Sequence, residues 1–158
     1  MKRSFLLGLL CLCIVLAGCA STSMKVETGF QPAAGEKFQF VITPEDIVPE
    51  KTLAIMNDRL QAQLGESLLR PGETALPDRN VEIVITRYNM RNEALRFWVG
   101  VAAGADHIDS TVTVRDSSSG RILGVFEVES TNTSGWGTSR GLIESHVDQI
   151  VRYLKNGH

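Results

Sequence analysis

Apolar and polar residues alternate with a period of two in some stretches of the chain and recur every three or four residues in others, and the order of these stretches outlines a domain. Phe38, Phe40 and Ile42 alternate with Lys37, Gln39 and Val41, which predicts a half-buried strand over 37–43. Thr43-Pro44-Glu45-Asp46 and Pro49-Glu50 supply helix start signals, because proline fits a first turn and acidic side chains complement the positive end of a helix. Leu53, Met56, Leu60, Leu64 and Leu68 then form one apolar stripe, so the helix runs to about Arg70, where Arg70-Pro71-Gly72-Glu73 stops it. Val81, Ile83 and Ile85 alternate with Glu82, Val84 and Thr86 over 80–88, a second strand that is largely apolar on both faces and hence central. Ile108 to Arg115 and Arg121 to Glu129 are β-rich runs joined by Asp116-Ser117-Ser118-Ser119-Gly120, a hairpin by composition and spacing. Beyond Thr138 or Ser139, either suited to cap a helix, Leu142, Ile143, Val147, Ile150, Val151 and Leu154 have helical spacing.

The order β-α-β-β-β-α predicts an α+β fold, an antiparallel sheet of about four strands with two helices packed on one face. The open face of that sheet is expected to carry Thr111, Thr113, Arg115, Glu127 and Glu129.

The first residues follow a different pattern. Met-Lys-Arg precedes an apolar run from Phe5 to Val15, and Leu16-Ala17-Gly18-Cys19 follows, the layout of an export signal. The run is too short for the roughly 20 residues that a permanent transmembrane helix needs. Leu-Ala-Gly directly before a cysteine resembles the lipobox of bacterial lipoproteins. The resemblance implies a signal peptide over 1–18, cleavage between Gly18 and Cys19, and a diacylglycerol and further acyl chain on Cys19. Several acyl chains on one residue hold firmly to a membrane, whereas a single one does so marginally. In Gram-negative lipoproteins an Asp after the lipidated cysteine favours inner-membrane retention. Here Ala20 and Ser21 follow, which implies the outer membrane, facing the periplasm.

From Ala20 to Glu36 the chain is rich in Ser, Thr, Gly, Pro and Ala, so residues 19–36 read as a lipidated, flexible tether and 37–158 as a single domain. Charge and cysteine content narrow the function. Without Lys2 and Arg3 the 16 basic residues fall to 14, against 18 acidic ones, a formal balance of −4 with no basic stripe, which argues against nucleic acid. The cysteines are Cys11, Cys13 and Cys19, so the body carries no thiol for a disulfide or a metal site and stands on its packed core.

Three strings are candidates for chemistry. Gly137-Thr138-Ser139-Arg140-Gly141 fits the G-x-S-x-G elbow of serine hydrolases, but only Asp148 and the terminal His158 follow as partners, and no parallel hydrolase sheet is expected. Asp106-His107-Ile108-Asp109 places a histidine between carboxylates, but on opposite strand faces and without a second histidine at ligand spacing. His146 sits among the apolar positions of the last helix and reads as a boundary residue. No catalytic residue, metal or cofactor is therefore expected.

The connection Leu95-Arg96-Phe97-Trp98-Val99-Gly100-Val101-Ala102-Ala103-Gly104 is apolar and glycine-rich where connections are usually polar. Hairpin pairing brings it toward Ser134-Gly135-Trp136-Gly137. Phe97, Trp98, Val99 and Trp136 are thus candidates for a rim that binds a protein partner or the lipid interface.

Arg96, Trp98-Val99-Gly100, Gly104-Ala105-Asp106, Val112-Thr113-Val114-Arg115-Asp116, Ser119-Gly120, Gly135 and Gly137 together resemble the bacterial lipoproteins with domain of unknown function 4410. The likeness spans Arg91 to about Leu154, with Trp136 where that pattern leads one to expect glycine or another apolar residue. It implies a small α/β envelope domain without an established activity. The expectation is an outer-membrane-anchored, non-enzymatic component of an envelope assembly or transport system that binds an envelope protein; a lipid- or glycan-handling accessory protein using residues 97–104 is the second reading, and a hydrolase at Ser139 the third.

Overall fold

The computed structural model describes residues 20–69, 76–91, 104–133 and 138–157. Strands β1 (Ala20–Thr28), β2 (Phe38–Pro44), β3 (Arg79–Asn89), β4 (Asp106–Asp116) and β5 (Ile122–Asn132) accompany helices α1 (Glu50–Leu64) and α2 (Ser139–Asn156). The fold is α+β, as the residue pattern predicts, but the sheet has five strands and is mixed. Its order is β1-β5-β4-β3-β2. β2 and β3 run parallel because α1 carries the chain back to the end from which β2 started, while the other neighbours are antiparallel.

The fifth strand is the segment expected to be a tether. Ala20 to Val26 pair residue for residue with Asn132 to Phe126 on β5. Met24 is half-buried against the core, while Ser21, Ser23, Lys25 and Glu27 face solvent. A strand paired on one side only needs few apolar residues, which is why its composition resembles a spacer. Phe30 then closes the segment onto the domain: it is 2% exposed, its N–H donates to the Tyr153 hydroxyl at 2.9 Å, and its side chain lies over Gly124. A Cβ at Gly124 would stand 2.6 Å from that of Phe30, so glycine is required there by contact rather than by backbone angle.

Other boundaries move for local reasons. Pro44 ends β2 instead of opening the helix; α1 starts at Glu50 behind Pro49 and stops at Gly65, whose φ of 31° and the following 3-10 turn (Gly65–Ser67) break the stripe before Arg70. Leu68 leaves the helix and bridges Phe38. β3 is interior but not central, and its outer face is only partly covered: Glu82 and Thr86 are exposed while Val81, Ile83 and Ile85 are buried. The 108–115 and 121–129 hairpin lengthens at its open end to pair Asp106 with Asn132.

Even-numbered residues of β4 and β5, with Val81, Ile83 and Ile85, face the helices and form one core with Met56, Leu60, Leu64, Val147, Ile150, Val151 and Leu154. Burying such a side chain is worth about 1.5–3 kcal/mol. Arg59 of α1 donates through Nε and Nη2 to Asp148 of α2 at 2.7 and 2.8 Å, tying the helices together. On the opposite face lie Thr111, Thr113, Arg115, Glu127 and Glu129, as expected, none of them buried.

Phe30→Ala should lower unfolding free energy by about 3–5 kcal/mol in urea titration, although the residue lies in a segment of spacer-like composition. Tyr153→Phe, which strips the buried Phe30 N–H of its acceptor, should cost about 1–3 kcal/mol.

Candidate functional site

The end of the sheet where β1 begins carries Asp106, His107 and the described flanks of the two connections singled out in the sequence. Ala20 pairs with Asn132, and Asn132 with Asp106, so the residue after Cys19 is already within the sheet. Asp106 is fully buried and faces Arg91, whose backbone N–H and Nε both donate to Asp106 Oδ1, at 2.8 and 3.1 Å. Arg91 Nη2 also donates to the Asn132 carbonyl at 3.1 Å. One buried ion pair therefore fastens together the ends of β3, β4 and β5. A pair of this kind resists loss of one partner strongly, since the other would remain as an uncompensated charge.

Two connections leave and re-enter at this fastened end, 92–103 between Arg91 and Gly104, and 134–137 between Thr133 and Thr138. Phe97, Trp98, Val99 and Trp136 belong to them and lie outside the described residues, as do Gly18 and Cys19. The pairing of Asp106 with Asn132 and of His107 with Thr131 does bring the flanks of the two connections side by side, as hairpin geometry requires.

The carboxylates around His107 separate as strand alternation predicts. Asp106 points to the helices. Asp109 lies on the open face, where Oδ2 accepts from Arg87 Nε at 2.6 Å. His107 Nδ1 is 3.0 Å from Thr131 Oγ1. Among the described residues no group of three or more His, Cys, Asp or Glu is placed to hold a metal ion. No helix among them is long and apolar enough to cross a membrane. Ser139 is the first residue of α2, whose capping bond is made by Thr138 Oγ1 accepting from Gly141 N–H at 3.0 Å. Asp148 is engaged by Arg59 and Gln63 of α1, so the acid that a nucleophile elbow would need is held by another helix.

His146 departs from its expected boundary position. It is fully buried, with Nδ1 3.0 Å from Ser130 Oγ and Nε2 2.9 Å from Ser110 Oγ, while Thr22 Oγ1 lies 3.0 Å from the same Ser130 Oγ. A neutral imidazole donates from one nitrogen and accepts at the other, so two serines satisfy it. The chain of hydroxyls links α2 to β4, β5 and β1. The sequence signal was present in two serines facing an apolar helix, but their helix-side register with His146 is visible only in three dimensions. A shallow hollow of about 380 Å³ on the open face is lined by Gln39, Val41, Asn80, Val81, Glu82 and Arg115.

Burial lowers the His146 pKa to about 3 from 6.5. Between these values the unfolded chain binds a proton that the folded chain does not. Stability should therefore be full above pH 6.5 and fall as pH drops toward 3, by up to about 1.4 kcal/mol per pH unit from this residue. Asp116, held low by hydrogen bonds from Ser118 and Ser119, acts in a separate window below its ordinary 3.8. Urea midpoints at several pH values between 7 and 4 should show the slope, and His146→Gln should flatten it.

Known structures share this architecture. PelC from Paraburkholderia phytofirmans, crystallised as a dodecamer, superposes with a TM-score of 0.57 at 14% identity, covering 87% of this chain and 100% of that one. A protein of the DUF330 family from Xanthomonas campestris gives a TM-score of 0.50 at 12% identity, covering 84% of this chain and 90% of its own. At these identities the likeness is one of fold. No curated protein matches the chain. The family model described as a domain of unknown function, DUF4410, matches residues 44–135, from the end of β2 through β5, starting nearer the N-terminus than the likeness read from glycine placements and ending short of Leu154. The chain belongs to the DUF4410 family.

Proposed function

We propose that the protein is an outer-membrane lipoprotein facing the periplasm, whose non-enzymatic domain is held directly against the bilayer and binds a protein of an envelope assembly or transport system. The observation that carries this reading is the position of Ala20. It belongs to β1 and follows Cys19 directly in the sequence, so acyl chains on Cys19 would be joined to the sheet through a single residue. The end fastened by Arg91 and Asp106 then rests at the headgroups instead of being lifted away from them.

The apolar string 97–104 and Trp136 belong to connections that start from that same end. In the anchored form proposed, a surface at that end would face the lipid or a membrane-embedded protein. This favours the second reading as well, a lipid- or glycan-handling accessory protein. PelC, crystallised as a dodecamer, makes self-assembly a natural property to propose for this chain too.

Cys19→Ser should abolish incorporation of labelled palmitate and move the protein from the membrane to the soluble fraction; persistence in the outer membrane would sink the anchor. A photo-crosslinking residue in place of Trp98 in living cells should capture one envelope protein. Capture of lipid alone would favour the second reading, and an absence of crosslinks would remove the partner.

A further inference from the structure

We infer that copies of this chain join edge to edge, the free edge of β1 in one copy adding antiparallel to the free edge of β2 in the next, so that the sheet continues from copy to copy. The inference rests on the anchored reading above for the common orientation of the copies, and on the described residues for the interface.

β1 and β2 are the two edges of the sheet. Three antiparallel pairings and one parallel pairing separate them, so they run in opposite directions. Copies standing side by side in one orientation therefore bring antiparallel strands together, and an unpaired edge is a template for such addition. Leu69 covers the start of the β2 edge by donating to the Phe38 carbonyl, and no other described residue bonds to the outward side of 39–43.

That same bond shows that the even-numbered residues of β2 turn their backbone groups outward. On the other side, the Asp116 N–H donates to the Arg121 carbonyl, which turns the even positions of β4 toward β5. Alternation across β5 then leaves Thr22, Met24 and Val26 of β1 facing outward. Two edges whose even residues face outward pair even with even.

One such register satisfies the side chains on both faces. With Val26 of the neighbour opposite Phe40, its Met24 meets Ile42, which covers on the helix side a Val26 that is 43% exposed in the single copy. On the open face, Lys25 of the neighbour falls in the row of Val41 and Glu82. Lys25 so placed stands two strand spacings, roughly 10 Å, from Glu82, within reach of two long side chains of opposite charge across the hollow that Glu82 lines. Within one copy Lys25 is bound to Glu127 and Glu27 at 3.3 and 3.5 Å with its side chain 71% exposed, an arrangement weak enough to exchange.

The heights agree too. The row of Lys25 crosses its own sheet through Glu127, Thr111 and Val84 to Thr43. Facing Val41 instead shifts each copy by two residues, roughly 7 Å, along the strand. A tilt of the strands absorbs such a shift in a closed ring, as in a barrel, and every Cys19 remains on one leaflet. The contact is head-to-tail, so it generates rings or filaments and not closed dimers.

Ser23 and Thr43 are exposed and stand opposite each other in this register, but roughly 19 Å apart within one copy, four strand spacings away. The full-length protein carrying Ser23→Cys with Thr43→Cys, oxidised mildly in intact cells, should give a ladder of disulfide-linked multimers. Ser23→Cys with Gln39→Cys, out of register, should give little. Monomers alone from the matched pair, or equal ladders from both, would overturn the inference. Lys25→Glu should shrink the detergent-solubilised assembly, and adding Glu82→Lys should restore it; an unchanged size in the first variant is a contrary result. Palmitate labelling and the ladder are read separately, so a ladder from a protein that keeps Cys19 yet takes up no palmitate would leave the interface standing while the anchored reading falls.

Discussion

The seating of Phe30 on Gly124 and under Tyr153 decides where the domain begins. Gly157, at the left-handed C-terminus of α2, approaches the same segment so closely that a Cβ there would stand 2.8 Å from the Phe30 carbonyl oxygen. β5 and the end of α2 thus both close on the backbone and Cβ of Phe30. Without that clasp, β1 would be held by an edge ladder of mostly small polar residues. With it, β1 is held at its far end as well as along its ladder.

The interior combines this apolar clasp with two buried polar arrangements that differ in character. The pair of Arg91 and Asp106 is ionic and closes one end of three strands. The sequence of hydroxyls and imidazole from Thr22 to Ser110 is neutral and runs across the sheet under α2. The first specifies which strand ends meet, and the second specifies how α2 is rotated, since turning the helix by one residue would bury an imidazole without partners.

Much of this was legible in the sequence. Period-two alternation located β2, β3 and the β4–β5 hairpin to within a few residues, and helical spacing located α2, because those elements bury one clear apolar face. β1 was missed because an edge strand pairs on one side and shows alternation only through Thr22, Met24 and Val26. The early end of α1 was missed because Leu68 keeps helical spacing with Leu64 although Gly65 turns the chain away. The parallel pairing of β2 with β3 depends on the direction of a crossover, which no local pattern records. Among the candidate residues, the separation of Asp106 from Asp109 followed from alternation alone. The burial of His146 did not, since its partners come from strands 16 and 36 residues away.

The placement of the anchoring residue at the end of an edge strand has a mechanical consequence. In the anchored form proposed above, a pull between bilayer and domain acts along the axis of β1. Such a load shears the whole ladder from Ala20–Asn132 to Val26–Phe126 at once instead of unzipping it bond by bond, and it draws Phe30 against the core before the chain beyond it feels tension. The strand that looks most like a spacer would thus behave as a tensile strap between the lipid and the fold.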